Sequence, residues 1–241
     1  MQLLVSVRSE AEVAAALAGG ADLIDAKEPA LGSLGPVGGA KLLAIAARVP
    51  ETVPLSAALG DFRSPGAVRL AVAGVSLRPR RAASYVKLGF AGERSEAQVA
   101  SLIAAALEAA SSVPAAPVVV PVAYADHERA GSLAPESVLR GALAAGSRAI
   151  LIDTCTKDGK SLLHWIDLGR LRALAAEVRS AGLLLALAGS LDLAALDLVA
   201  GLADVIGVRG AACRGGREGA VDPDLVRLLR VRLQDRLPSA V

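Results

Sequence analysis

The sequence predicts one domain over residues 1–241, a single (β/α)8 or TIM barrel of the α/β class. Three observations carry this expectation. A chain of 241 residues has the length of one such barrel and can bury a full core. Short apolar runs of strand length alternate eight times with Ala/Leu-rich stretches of helical period, the pattern of parallel strands joined by crossover helices. No linker, low-complexity segment or shift in composition interrupts that alternation. A doubly wound open sheet is the alternative arrangement of the same elements.

The strands are expected near 3–7 (LLVSV), 22–27 (DLIDAK), 53–59 (VPLSAAL), 84–89 (SYVKLG), 117–124 (PVVVPVAY), 148–153 (RAILID), 183–188 (LLLALA) and 204–209 (DVIGVR). Helices are expected near 9–19, 37–48, 65–76, 95–111, 135–145, 167–181, 192–201 and 222–235. Ser9 followed by Glu12 reads as a capping box opening the first helix, and Asp222-Pro223 as an N-cap with proline at the first helical position. Gly19-Gly20, Gly146 and Gly182 stand where helices should stop. The basic stretch Arg78-Pro79-Arg80-Arg81 precedes the fourth strand and reads as a solvated loop on the face opposite the chemistry.

Composition excludes several function classes. Apolar residues make up 54%, with Ala the commonest, but no run approaches the roughly 18 residues of a membrane span. Met1 to Val7 reads as a strand rather than a signal peptide, so a cytoplasmic location is expected. The net charge is +2 and aromatics are 2%, which leaves neither a basic footprint nor a stacking platform for nucleic acid. Cys155 and Cys213 lack metal-ligand spacing; reduced thiols and no metal site are expected. Homo-oligomerisation is left open.

The basic residues are unevenly chosen: 21 are Arg and five are Lys, at 27, 41, 87, 157 and 160. Arginine keeps its proton near neutrality whereas a buried lysine can release it, so the retained lysines are candidates for amine chemistry. Barrel enzymes work at the C-terminal ends of their strands. Asp25 and Lys27 end the second strand, Lys87 the fourth and Asp153 the sixth, with Lys157 just beyond; Tyr124 and Asp126 follow the fifth. Strand alternation turns Asp25, Lys27, Lys87 and Asp153 inward while Ile24, Ala26, Val86, Leu88, Ile150 and Ile152 face the helices. Crowded, partly desolvated lysines lose protons and can attack a carbonyl, with carboxylates shuttling protons, as in a Schiff-base enzyme. A buried salt-bridge network that merely closes the barrel mouth is the other reading.

The seventh and eighth strands end in Ala188-Gly189-Ser190-Leu191 and Gly207-Val208-Arg209-Gly210. In barrels these loops often hold a phosphate, because glycine lets backbone N–H groups approach an anion. Gly189, Ser190 and Gly210 are therefore candidate phosphate ligands, and Arg209 a candidate bidentate one. Asp61 is placed either to line the pocket or to cap a helix. His127 and His164 read as loop residues, Trp165 as packing, and both cysteines as small fillers.

Four motifs in order, Asp25-Ala26-Lys27-Glu28-Pro29 with Gly32-Ser33-Leu34-Gly35, Tyr85-Val86-Lys87-Leu88-Gly89, Asp153-Thr154 with Lys157-Asp158-Gly159-Lys160, and Val208-Arg209-Gly210-Ala211-Ala212-Cys213, resemble the (5-formylfuran-3-yl)methyl phosphate synthase family, also called 4-(hydroxymethyl)-2-furancarboxaldehyde-phosphate synthase. The resemblance runs from the first strand to the last helix. It implies a lyase that makes the furan precursor of methanofuran-type cofactors from two molecules of glyceraldehyde 3-phosphate, with no metal or organic cofactor. It also implies that Lys27 forms the Schiff base and Lys87 moves protons, with Asp25, Asp153 and Lys157 completing the site. The segments Ser76 to Ser84 and Asp126 to Arg129 depart from the family pattern and bear on loop shape. The rival readings are another class I aldolase-like barrel acting on a sugar phosphate and a non-catalytic phosphate-binding barrel.

Overall fold

Eight parallel strands close on themselves in sequence order: β1 (Gln2–Val7), β2 (Leu23–Ala26), β3 (Leu55–Asp61), β4 (Ser84–Gly89), β5 (Val118–Tyr124), β6 (Ala149–Asp153), β7 (Leu184–Leu187) and β8 (Val205–Val208). The computed structural model describes residues 1–75, 81–114 and 116–235. Of the basic stretch before β4, residues 78–80 lie outside these. The ladder between β8 and β1, with Leu3 opposite Ile206 and Val5 opposite Val208, decides for a barrel over an open sheet.

The outward strand positions explain why the barrel holds. Leu3, Val5, Ile24, Val86, Leu88, Ile150, Ile152 and Ile206 all belong to one buried shell that continues into the helices through Val13, Ile45, Val68, Leu102, Leu139 and Leu171. Each such aliphatic side chain stabilises the fold by about 1.5–3 kcal/mol when fully buried. The helices are α1 (Glu10–Ala18), α2 (Gly39–Arg48), α3 (Pro65–Ala73), α4 (Glu96–Ser111), α5 (His127–Ala130), α6 (Pro135–Ala144), α7 (Leu162–Trp165), α8 (Leu168–Ser180), α9 (Leu193–Val199) and α10 (Pro223–Gln234). None among the described residues is long and apolar enough to cross a membrane.

Helix punctuation follows local chemistry with one correction. Asp222 caps α10, accepting from the N–H groups of Asp224 and Leu225, and Gly146 and Gly182 end their helices at φ +78° and +71°, where a side chain would be strained. The expected capping box at Ser9 does not form: Ser9 makes no side-chain cap bond. The Glu12 carboxylate instead accepts from the Arg8 N–H at 2.9 Å and pairs with Arg209, because a buried guanidinium is a stronger partner than a helix end.

Elements too short to carry a period escaped the sequence pattern: α5, α7, a 3-10 turn at Pro29–Leu31 after β2, and a hairpin after β8 made of β9 (Cys213–Arg214) and β10 (Ala220–Val221). All four follow the C-terminal ends of barrel strands. They build the rim around the site.

Candidate active site

A cavity of about 350 Å3 opens at the C-terminal end of the barrel, lined by Lys27, Lys87, Asp153 and Lys157 on one side and by the loops after β7 and β8 on the other. That is the size of a pocket for a small metabolite. It reaches into the barrel because β7 and β8 present Ala186, Ala188 and Gly207 to the interior. A Cβ on Gly207 would sit 3.3 Å from that of Ala188 and narrow the gap.

Strand register brings the charged residues together. Ser6, Asp25 and Ser56 lie side by side across β1, β2 and β3. Asp25 is wholly buried; its Oδ2 accepts from Lys87 Nζ at 2.7 Å and from Ser6 Oγ at 2.8 Å, while Oδ1 has no partner among the described residues. Across the cavity, Lys157 Nζ donates to Asp153 at 2.7 Å and to Thr154 Oγ1 at 3.0 Å. Two of the three site lysines are thus ion-paired. Lys27, held just past β2 by its N–H bond to the Val7 carbonyl, forms no ion pair among the described residues.

This difference sets the protonation states. Burial, and then the positive charge of Lys87, lower Lys27 to about 7, outweighing the attraction of Asp153 and Asp25. Burial pushes the Asp25 and Asp153 carboxyls up, but their lysine neighbours more than offset it, and both stay below the usual carboxylate value. Near neutrality the site therefore holds two carboxylates and an amine of which roughly half is unprotonated.

The loops after β7 and β8 contain the residues expected to hold phosphate. Gly189 adopts φ +111° with its Cα packed so that a Cβ would lie 3.1 Å from Thr154 Cγ2. Ser190 has φ +50°, the one non-glycine residue among those described with positive φ. Such a conformation in a side-chain-bearing residue stores strain and clusters at functional sites. Arg209 requires a correction. Its guanidinium pairs with both oxygens of Glu12, at 2.5 and 3.0 Å, and donates to the carbonyls of Ser6, Arg217 and Gly219. All five N–H donors are used, so the expected bidentate phosphate contact has no donors left.

The remaining candidates serve the frame. Tyr124 Oη accepts from Ser33 and donates to Asp61 at 2.9 Å, and Asp61 also accepts from the Ala91 N–H, so Asp61 ties loops together and neither lines the cavity nor caps a helix. Asp126 accepts from the N–H groups of Cys155 and Thr156 and anchors the loop after β6. Burial raises the Cys155 thiol to about 11 and also raises Cys213, which leaves both unreactive near neutrality. Trp165 lies beneath the cations of Arg129 and Lys160, with His164 edge-on to its ring.

Sequence reasoning missed Ser6 and Arg217. Ser6 breaks the apolar run LLVSV at an inward position, which is a readable signal. Arg217 lines the cavity from the β9–β10 hairpin, and Gly215-Gly216 before it was the only local hint of a turn there.

Comparison with known proteins agrees with this architecture. Solved barrels resemble the chain throughout: phosphoribosyl anthranilate isomerase from Thermotoga maritima, with a TM-score of 0.62 at 17% identity over 98% of this chain and 99% of that one, and KGPDC from Streptococcus mutans, with a TM-score of 0.60 at 14% identity over 97% of each chain. At such identities they establish the fold alone. Sequence relatives are nearer. Proteins named (5-formylfuran-3-yl)methyl phosphate synthase are 36% identical in Methanococcus maripaludis over 94% of this chain and 97% of the relative, and 36% identical in Methanocaldococcus jannaschii over 95% and 98%. The one in Methanosarcina barkeri is 34% identical over 97% and 100%. The model of the 4-HFC-P synthase family matches residues 3–230, and the chain belongs to that family.

Proposed function

We propose that this protein is a lyase that condenses two molecules of glyceraldehyde 3-phosphate into (5-formylfuran-3-yl)methyl phosphate through a Schiff base on Lys27, supplying the furan of methanofuran-type cofactors. The observation that carries this reading is the contrast among the site lysines. Lys87 and Lys157 are held by carboxylates, whereas Lys27 is unpaired, buried and lowered to about 7. An ordinary lysine near pH 7 presents well under 1% free amine; one at about 7 presents roughly half. Family membership supplies the product.

The chemistry balances on these residues. One triose phosphate isomerises through an enol, and its carbonyl carbon takes the Lys27 nitrogen with loss of water. The iminium draws electrons from the adjacent carbon as a proton leaves, and that carbon bonds to the aldehyde carbon of the second triose. Two three-carbon units give the six-carbon furan product as one phosphate and two waters depart; the water lost in forming the imine returns when Lys27 is released. The Lys87–Asp25 pair lies beside Lys27 to relay protons, with the free Asp25 Oδ1 as acceptor. Lys157, steadied by Asp153, faces the second phosphate or the leaving group. The backbone N–H groups of Gly189, Ser190 and Gly210 cradle one substrate phosphate.

Borohydride reduction in the presence of glyceraldehyde 3-phosphate, followed by peptide mapping, tests the reading. A substrate-derived adduct on Lys27 is expected, together with a product of the furan phosphate mass from the unreduced reaction. Substrate binding with no labelled lysine would overturn the Schiff base and favour a phosphate-binding barrel.

A further inference from the structure

Two cations in the cavity wall lack a carboxylate partner among the described residues, Lys27 and Arg217, and the proposed chemistry uses only the first. Arg217 is half-buried in the turn between β9 and β10. Its Nη2 donates to the Pro29 carbonyl at 3.0 Å and to that of Gly32, which lashes the hairpin to the loop following Lys27. Its Nε and Nη1 have no hydrogen-bond partner among the described residues.

The backbone beneath that side chain is over-determined. Arg209 Nε donates to the Arg217 carbonyl at 3.0 Å and Arg209 Nη2 to the Gly219 carbonyl at 2.6 Å, with Glu12 holding the guanidinium from behind. Gly219 permits the tight turn, since a Cβ there would run into the Arg214 carbonyl oxygen. A fixed guanidinium whose Nη2 is taken up by the loop carbonyls but whose Nε and Nη1 donors are unclaimed among the described residues offers charge-assisted hydrogen bonds to an arriving phosphate oxygen. Burial acts against the Arg217 charge and, with repulsion from Arg209, outweighs the attraction of Asp153 and Glu218, so a close anion would favour the charged form.

We propose that Arg217 is the residue that binds the substrate phosphate alongside the Gly189–Ser190 loop, and that the buried Arg209–Glu12 pair positions it. The proposal rests on the reading that the substrate is a triose phosphate. It moves the phosphate contact expected at Arg209 to a side chain that Arg209 holds in place.

The test compares borohydride trapping at Lys27 with glyceraldehyde 3-phosphate and with unphosphorylated glyceraldehyde in the wild type, Arg217→Ala and Arg217→Lys. The alanine variant is expected to raise the half-saturating concentration of the phosphorylated substrate by roughly ten- to a hundredfold, the loss of a charged hydrogen-bonded contact. Trapping with glyceraldehyde should stay within about twofold, and lysine should restore part of the loss. An equal loss with both substrates, or none with either, overturns the proposal. Calorimetric titration with glycerol phosphate separates this from the Schiff-base reading. Weaker binding in Arg217→Ala supports the phosphate contact even if the wild type forms no adduct, and unchanged binding rejects it.

Discussion

The two ends of the barrel interior are built from the same strands with the same alternation, and they are filled in opposite ways. Near the N-terminal ends, Leu4, Leu23 and Val205 pack with Tyr85, Leu184 and Ala186 into an apolar floor. Near the C-terminal ends the inward positions carry Asp25, Lys87 and Asp153, all buried, with Lys27 and Lys157 above them. Closing a barrel does not require those charges, because the floor closes it with aliphatic side chains. Buried ion pairs cost desolvation that their attraction only partly offsets, so the charged end is the part of the interior not chosen for stability.

The sharpest way to break this comparison is to remove the unpaired lysine. Lys27→Ala should abolish borohydride trapping and lower product formation by on the order of a thousandfold or more, with the fold intact by circular dichroism. Retained turnover would place the chemistry elsewhere. Next in size is Lys87→Met. It deletes the cation that helps hold Lys27 low, so product formation should fall by roughly a hundredfold or more. The acid limb of the trapping rate, centred near pH 7 in the wild type, should move to higher pH. An unmoved limb would show that burial alone sets the Lys27 proton affinity.

Stability measurements sharpen the contrast between the ends. Asp25→Ala leaves Lys87 buried without its partner and should cost about 3–5 kcal/mol in urea denaturation, whereas Asp25→Leu with Lys87→Met together should be close to neutral, or stabilising by a few kcal/mol, in an inactive protein. At the floor, Leu23→Ala should cost about 2–5 kcal/mol while trapping at Lys27 persists in the protein that remains folded. The last effect is a slope. With Lys27 at about 7 in the folded protein and 10.5 as its ordinary value, the unfolded chain binds more protons between these limits. Stability should therefore rise with pH through that window relative to Lys27→Met. A parallel pH dependence in the two proteins would contradict the lowered value.

Much of this was legible in the chain. All eight strands and the eight longer helices were expected within a few residues of where they lie, because outward positions such as Val86 and Leu88, or Ile150 and Ile152, alternate with inward ones and the helices carry their own period. The same alternation placed Asp25, Lys87 and Asp153 inside. The β9–β10 hairpin was not legible, since two-residue strands have no period to detect, and Arg217 was missed with it. Arg209 was found but given the wrong partner: a glycine-flanked arginine after the last strand looks like a phosphate ligand until Glu12, 197 positions away, is seen against it.

The sequence by itself determined the periodicity, the turn chemistry and which residue types stand at the strand ends. These act over a few neighbouring residues and need no knowledge of distant ones. Only the tertiary structure decided which charge meets which. Barrel closure puts Lys87 on Asp25 and Arg209 on Glu12, and leaves Lys27 and Arg217 without carboxylate partners among the described residues. Proton affinity and anion binding depend on separations of a few ångströms between groups far apart in the chain, and those distances exist only once the barrel has closed.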